Sequence, residues 1–333
     1  MPTGVTEAEL HLEMGAEGPP VVDLQRRLGR LRIARGMDAE GSFGPGTRAA
    51  VEAFQHRRGL RVDGICGPQT WSALVEAGCQ LGDRFLYRRS PMLRGDDVAE
   101  LQQRLSALGF DTGRVDGIFG DQTSMALGDF QRNVGLPVDH IAGGATMREL
   151  LRFGTRHDDS SELVTAVRDR EHLRQAPRTL SGRRVAIGEE GGLSAALAAL
   201  RRLLVAQGST VYPLEHPDGS TLAAEANAVE AEVYVGLRLE QAGSRCTTAY
   251  YAGYRYSSPG GRRLAELIQR TVCESLGLVD GGSHGMALPL LRETRMPAVI
   301  CEISPPAVLV EQAPSVARAV VAALAEWAAT AWD

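Results

Sequence analysis

Five cysteines, seven histidines and one glutamate–glycine run are where this sequence could do chemistry, and their spacing excludes most of it. Cys66, Cys79, Cys246, Cys273 and Cys301 are dispersed, odd in number and form no CxxC pair. That fits reduced, mostly buried thiols better than a disulfide frame or a thiolate zinc site. No Ser–His–Asp or Cys–His arrangement is suggested, and Cys301, beside Glu302, reads as a thiol packed inside a strand. His157 and His172 fall in a charged stretch and read as solvated, while His284, in the glycine-rich DGGSHGM, reads as a loop residue. GEEGG from Gly188 lacks the spacing of a phosphate-cradling loop. Tyr250, Tyr251, Tyr254 and Tyr256 form either an aromatic contact face or the packing of a strand and turn.

The elements that must position these residues change character near Ser181. After it, RRVAI, TVYPL, EVYVGL, TTAYY and PAVICE are short apolar or β-branched runs suited to buried strands. Helical stretches lie between them, at Leu193–Gln207, Thr221–Val229, Pro259–Leu276 and Pro314–Ala331. Alternating strands and helices predict an α/β domain with a mostly parallel sheet covered on both faces.

The N-terminal half is written in repeats, which are the first thing to look for in a chain. Val115–Leu136, VDGIFGDQTSMALGDFQRNVGL, matches Ala39–Leu60, AEGSFGPGTRAAVEAFQHRRGL, at eight positions from Gly41 to Gly59. Its opening recurs as VDGICGPQT from Val62 and VDHIAGGAT from Val138. Gly117 and Gly120 allow a tight loop with Ile118 and Phe119 beneath it, after which Ala126, Leu127, Phe130 and Val134 share a helical face. Leu24, Gln25, Arg27 and Leu28 likewise repeat Leu101, Gln102, Arg104 and Leu105. Each of two units therefore reads as helix, glycine loop, helix, glycine loop, short helix: an all-α three-helix repeat. This pattern resembles the type 1 peptidoglycan-binding repeat over roughly the first 150 residues. The resemblance implies a muropeptide or peptidoglycan-precursor ligand on the shallow surface between glycine loops and helices. The candidate contacts are Asp63, Gly64, Asp116, Gly117, Phe119 and Asp139.

The predicted organisation is a flexible acidic tail at 1–17, repeat 1 at 18–79 and a linker at 80–94. Repeat 2 follows at 95–153, a linker with a helix around Ser161–Gln175 at 154–180, and the α/β domain at 181–333. The formal charge of −5 and scattered arginines argue against nucleic acid as a partner. No lysine occurs. The start, with Glu7, Glu9, Glu13 and Glu17 and no arginine before Arg26, has neither the basic nor the apolar segment of a secretory signal. The apolar stretch near Trp332 is too short and too charged to span a bilayer, so no transmembrane segment and a cytoplasmic location are expected.

The last domain resembles the zinc-dependent N-acetylmuramoyl-L-alanine amidases of the Amidase_3 family. MPAVICEIS, Met296–Ser304, looks like that family's strand ending in its catalytic glutamate, which places Glu302 in the catalytic position. Family members hold zinc through a histidine after the first strand, a glutamate opening the next helix and a histidine ending a middle strand. The metal polarises the amide and activates a water while the glutamate shuttles protons. At the first-strand position this sequence reads GEEGG, leaving Glu190 and Glu189 as nearest stand-ins for the first and second ligands. The middle strand reads GLRLE, with Arg238 where the histidine belongs. An arginine does not lose its proton in a protein and cannot ligate, so Arg238 is expected to neutralise Glu189, Glu190 or Glu302 instead. The expectation is therefore no metal and no cofactor, zinc entering only if the chain is an active amidase through unrecognised ligands.

Repeats, acidic start and degenerate zinc site together resemble a family of cytoplasmic, amidase-like regulators of actinobacterial cell-wall synthesis. That resemblance implies a pseudoenzyme acting as regulator or scaffold of peptidoglycan-precursor synthesis. Its implied partners are the UDP-N-acetylglucosamine enolpyruvyl transferase and the lipid II flippase. The alternatives are an active zinc amidase cleaving the muramoyl–L-alanine amide, and a binding module for muropeptides or lipid-linked precursor.

Overall fold

Three-residue and four-residue spacing of apolar residues marks the helices of the N-terminal unit, and Gly59, Gly109 and Gly135 follow the ends of three of them at positive φ. In the computed structural model, which describes residues 11–153, 169–240, 243–253 and 256–332, the chain divides into units after Thr165. The N-terminal unit holds α1 (Pro19–Arg30), α2 (Pro45–Arg58) and α3 (Pro68–Ala77), then α4 (Asp96–Ala107), α5 (Asp121–Asn133) and α6 (Gly144–Phe153). Val21, Leu24 and Leu28 of α1 pack with Phe43, Val51, Phe54 and Leu74. Val98, Leu101 and Leu105 of α4 do the same with Phe119, Leu127, Phe130 and Leu150. Each such side chain taken fully out of water contributes about 1.5–3 kcal/mol. Gly59 ends α2 at φ 63°, where a β-carbon would be strained, so the glycine is required there.

Two stretches read as tail and linker are part of the repeats. Leu12, placed in the acidic tail, is buried in the first core and its backbone pairs with that of Cys66. Leu86, placed in the linker, is buried in the second core and pairs with Ala142 in the same way. The linker is also tied down by Arg84, whose guanidinium holds both oxygens of the buried Asp97 at 2.7 and 3.0 Å. The two repeats are joined by Arg58, which grips Asp96 through two hydrogen bonds of 2.7 Å. The start of the helix expected at Ser161–Gln175 lies outside the described residues; residues 169–175 are helical.

The C-terminal unit is the α/β domain. Its strands are β1 (Arg184–Glu189), β2 (Thr210–Glu215), β3 (Val233–Leu239), β4 (Arg245–Tyr251), β5 (Val279–Met286) and β6 (Ala298–Ser304). Between and after them come α7 (Ser194–Ala206), α8 (Gly219–Ala228), α9 (Pro259–Leu276), α10 (Pro289–Glu293), α11 (Pro306–Glu311) and α12 (Ala313–Ala329). The sheet order is β2-β1-β3-β6-β4-β5, and every neighbouring pair is parallel except β6 with β4. Alternate residues of the central strands, such as Val235, Leu237, Val299 and Ile303, pack against α7, α9 and α12 to form the main core. The other alternation carries Tyr234, Gly236 and Arg238 on β3 and Ile300 and Glu302 on β6.

One strand was not foreseen. The DGGSHGM segment is no loop: it forms most of β5, paired in parallel with β4, with His284 opposite Ala249. Its three glycines carry no strand signal, and β5 lies at the sheet edge, where only one neighbour has to be satisfied. No described helix is long and apolar enough to cross a membrane.

Candidate functional site

The glycine loops of the repeats are held by buried glutamines. Gln102 of α4 points its Nε2 at Asp116 Oδ1 (2.9 Å), the Ile118 carbonyl (3.1 Å) and Thr123 Oγ1 (3.0 Å), and its Oε1 accepts from Gly117 N–H at 2.8 Å. Gln55 of α2 makes the same set with Asp63, Ile65, Thr70 and Gly64. Gln131 of α5 repeats it with Asp139, Ile141, Thr146 and His140. In the first loop Gln25 of α1 serves Ala39, Ser42, Thr47 and Gly41, with Glu40 standing where the others have aspartate.

These bonds change what the candidate contacts do. Asp63, Asp116 and Asp139 each turn one carboxylate oxygen inward, to a glutamine and to the backbone N–H two residues on. The Ile141 N–H and Gln131 together hold the Asp139 carboxyl below its usual range. Gly64 and Gly117 are buried, and Phe119 is wholly buried in the second core. Phe119 therefore supports the loop from beneath and does not reach a surface ligand, which corrects the sequence expectation. The glutamines themselves were the missed functional-looking residues, and their recurrence ahead of every DGxxGxxT phrase was the available signal.

The second site lies at the carboxyl ends of β1, β3 and β6, the region where open α/β sheets place their ligands. Arg238 and Glu302 are register partners on adjacent strands. Arg238 Nη1 donates to Glu302 Oε1 at 3.1 Å, and Nη2 donates to Glu190, just past the end of β1. The guanidinium thus bridges two of the three glutamates. The side chains are 29% (Arg238), 31% (Glu190) and 17% (Glu302) exposed, so the bridge is half-sunk rather than on open surface. Burial alone would lower the Arg238 pKa; the two carboxylates more than offset this and hold it above its ordinary value. Glu189 faces elsewhere: its Oε2 accepts from Gly191 N–H (3.1 Å) and Leu193 N–H (2.6 Å), turning the chain into α7.

Behind the bridge, Tyr234 lies where glycines make room for it. A β-carbon at Gly188 would collide with the Tyr234 hydroxyl, and one at Gly236 would come within 3.1 Å of its ring. The two glycines are register partners on β1 and β3, so the ring crosses the sheet over them. The Tyr234 hydroxyl, Arg238 Nε and Glu189 Oε1 are buried without a hydrogen-bond partner among the described residues. Burial, and then the charge of Glu190, push the Tyr234 hydroxyl pKa well up.

This donor set does not fit zinc. It offers no imidazole or thiolate, and a permanently charged guanidinium sits between Glu190 and Glu302 where a cation would have to go. Among the described residues, no three His, Cys, Asp or Glu side chains converge as a metal site. His284 is on edge strand β5, separated from β6 by β4, with its Nε2 2.8 Å from the Gly281 carbonyl. His216 donates its backbone N–H to the Glu189 carbonyl, and its Nδ1 accepts from Asp218 N–H. Of the thiols, Cys66, Cys246 and Cys301 are buried, with Cys246 and Cys301 sulfurs 3.6 Å apart; burial raises Cys66 to about 12.

Fold and site define the class: two peptidoglycan-binding-type repeats followed by an amidase-like domain. The family model for the putative peptidoglycan binding domain matches residues 17–74 and 94–150. N-acetylmuramoyl-L-alanine amidase CwlM of Mycobacterium tuberculosis is 39% identical over 284 residues, covering 76% of this chain and 70% of that protein. The chain belongs to the CwlM family. N-acetylmuramoyl-L-alanine amidase CwlL of Bacillus licheniformis is 35% identical over 164 residues, 42% of this chain and 44% of that protein. Among solved structures, the N-acetylmuramoyl-L-alanine amidase from Clostridium difficile 630 is similar over 44% of this chain and 97% of its own, at 16% identity and TM-score 0.38.

Proposed function

We propose that this protein is a pseudoenzyme: a peptidoglycan-binding, amidase-like regulator or scaffold of peptidoglycan-precursor synthesis that works in the cytoplasm. The observation that carries the reading is the Arg238 bridge to Glu190 and Glu302. Hydrolysing a muramoyl amide needs both a polarised carbonyl and a nucleophilic water, and Glu302 alone cannot supply both. Zinc would supply both, lowering the pKa of bound water from about 15.7 to about 7, but the bridge fills the place of a cation with a guanidinium. What remains is a folded cleft and two repeats, suited to recognising muropeptide or precursor and passing that state to a partner. On this reading the partners are proteins that make or move the precursor, the UDP-N-acetylglucosamine enolpyruvyl transferase or the lipid II flippase being the expected ones.

Metal analysis with a muropeptide digestion assay tests it. Less than 0.1 zinc per chain and no released peptide are expected. Zinc at one per chain, or peptide release abolished by Glu302→Ala, would replace this reading with the amidase one, which the names of CwlM and CwlL favour.

A further inference from the structure

The two repeats are copies of one fold, so each serves as a control for the other. Residues that differ between them at equivalent exposed positions are not required by the fold. The equivalence is fixed by backbone: Leu12 pairs with Cys66 in repeat 1, and Leu86 pairs with Ala142 in repeat 2. Each leucine is buried, so the residues on either side of it point outward. In repeat 1 these are His11 and Glu13, 62% and 60% exposed and 3.7 Å apart as a weak ion pair. In repeat 2 they are Phe85 and Tyr87, 65% and 40% exposed.

Phe85 lies against Gly143, its ring 3.5 Å from where a β-carbon would be, and the exposed Ile141 is two residues away along the same segment. Arginines flank this surface. Arg88 and Arg89 follow Tyr87 directly and are exposed, and Arg148 Nη1 lies 3.8 Å from the β-carbon position of Gly144. Arg88 pairs with Asp121, but the two side chains are 64% and 56% exposed, so that pair holds loosely and can be exchanged. Exposed aromatic rings beside arginines are the composition of protein interface centres. Repeat 1 makes the same backbone pairing with His11 and Glu13 at these positions, so the pairing does not require the two rings.

We propose that Phe85, Tyr87 and Ile141, rimmed by Arg89 and Arg148, form a docking surface for an acidic segment of another protein. The segment would seat an apolar side chain on the two rings and set carboxylates against the arginines, whose flat forks suit them. This goes beyond the reading of the cleft and does not depend on it, since the surface lies wholly in repeat 2.

The test uses the full chain with a photo-crosslinking phenylalanine analogue at Tyr87 and, as control, at Glu13, irradiated in the native cell. The segment captured at position 87 is mapped, synthesised and titrated against purified full chain. We expect an Asp/Glu-rich segment with an apolar anchor. Its affinity should fall at least tenfold in F85H/Y87E, which installs the pair repeat 1 already tolerates, and in R89E/R148E, with thermal melts unchanged. The proposal is overturned by equal capture at both positions, by capture of a second copy, or by a captured segment without acidic residues. Affinity falling less than tenfold in either variant, or a muropeptide displacing the segment, would overturn it as well.

Discussion

Replacing Arg238 by alanine is the sharpest perturbation of the cleft. It leaves Glu190 and Glu302 facing each other without the cation that bridges them. Breaking a fully buried pair from one side costs about 3–5 kcal/mol, because a charge is left without partner or water. Breaking an exposed pair costs under about 1 kcal/mol. With side chains 17–31% exposed, this site lies between those limits, and Glu302, the most buried, sets most of the loss. About 2 kcal/mol is therefore expected for Arg238→Ala, weighing both limits. In a unit of this size that moves the melting midpoint by about 4–8 °C.

Scanning calorimetry of the full chain reads this out in the transition of the C-terminal unit. Arg238→Lys should recover only part of the loss, since one ammonium cannot hold two carboxylates in the fork geometry of a guanidinium. The triple variant R238M/E190Q/E302Q should return to within about 1 kcal/mol of the parent, because it removes all three charges together. A single Arg238→Ala variant melting at or above the parent would refute the reasoning. It would mean that the arginine is itself a destabilising group, held in place for a ligand.

The repeats and the core give further expectations. Gln102→Leu removes four hydrogen bonds and leaves buried loop groups unpaired; it should cost about 3 kcal/mol in urea unfolding. Phe119→Ala should cost about 3–5 kcal/mol by the same measurement, acting through a core cavity rather than lost ligand contact. Asp139 has its carboxyl pKa lowered in the fold, so the stability it provides is present above pH about 4 and is lost as pH falls through the lowered value. Urea midpoints at pH 7 and pH 3 should thus differ less for Asp139→Asn than for the parent.

Repetition and alternation were legible in the sequence wherever burial enforces them. The spacing of Leu101, Leu105 and their copies gives α1 and α4, and the apolar runs VAI and AVIC give β1 and β6. The edge strand β5 escaped because DGGSHGM has neither alternation nor β-branched residues, and an edge position demands neither. Leu12 and Leu86 escaped for another reason. Each is a single buried residue flanked by exposed ones, and one position does not make a period.

The cleft was legible in its charges but not in its floor. An arginine near three glutamates in strand-end positions implies an ion pair from charge alone, and the register of β3 with β6 brings Arg238 beside Glu302. That Glu189 turns away could not be read from GEEGG, because adjacent residues at a strand end point to opposite faces and one of them has to serve the backbone of the next turn. Tyr234 is the deeper omission. Its ring crosses two strands only because Gly188 and Gly236 fall in register, a coincidence between residues almost fifty positions apart that no local pattern carries. Any larger residue at Gly188 would displace the ring, and with it the buried hydroxyl beneath the Arg238 bridge. The two glycines are therefore as much part of the cleft as the charged residues above them, although neither has a side chain to do chemistry.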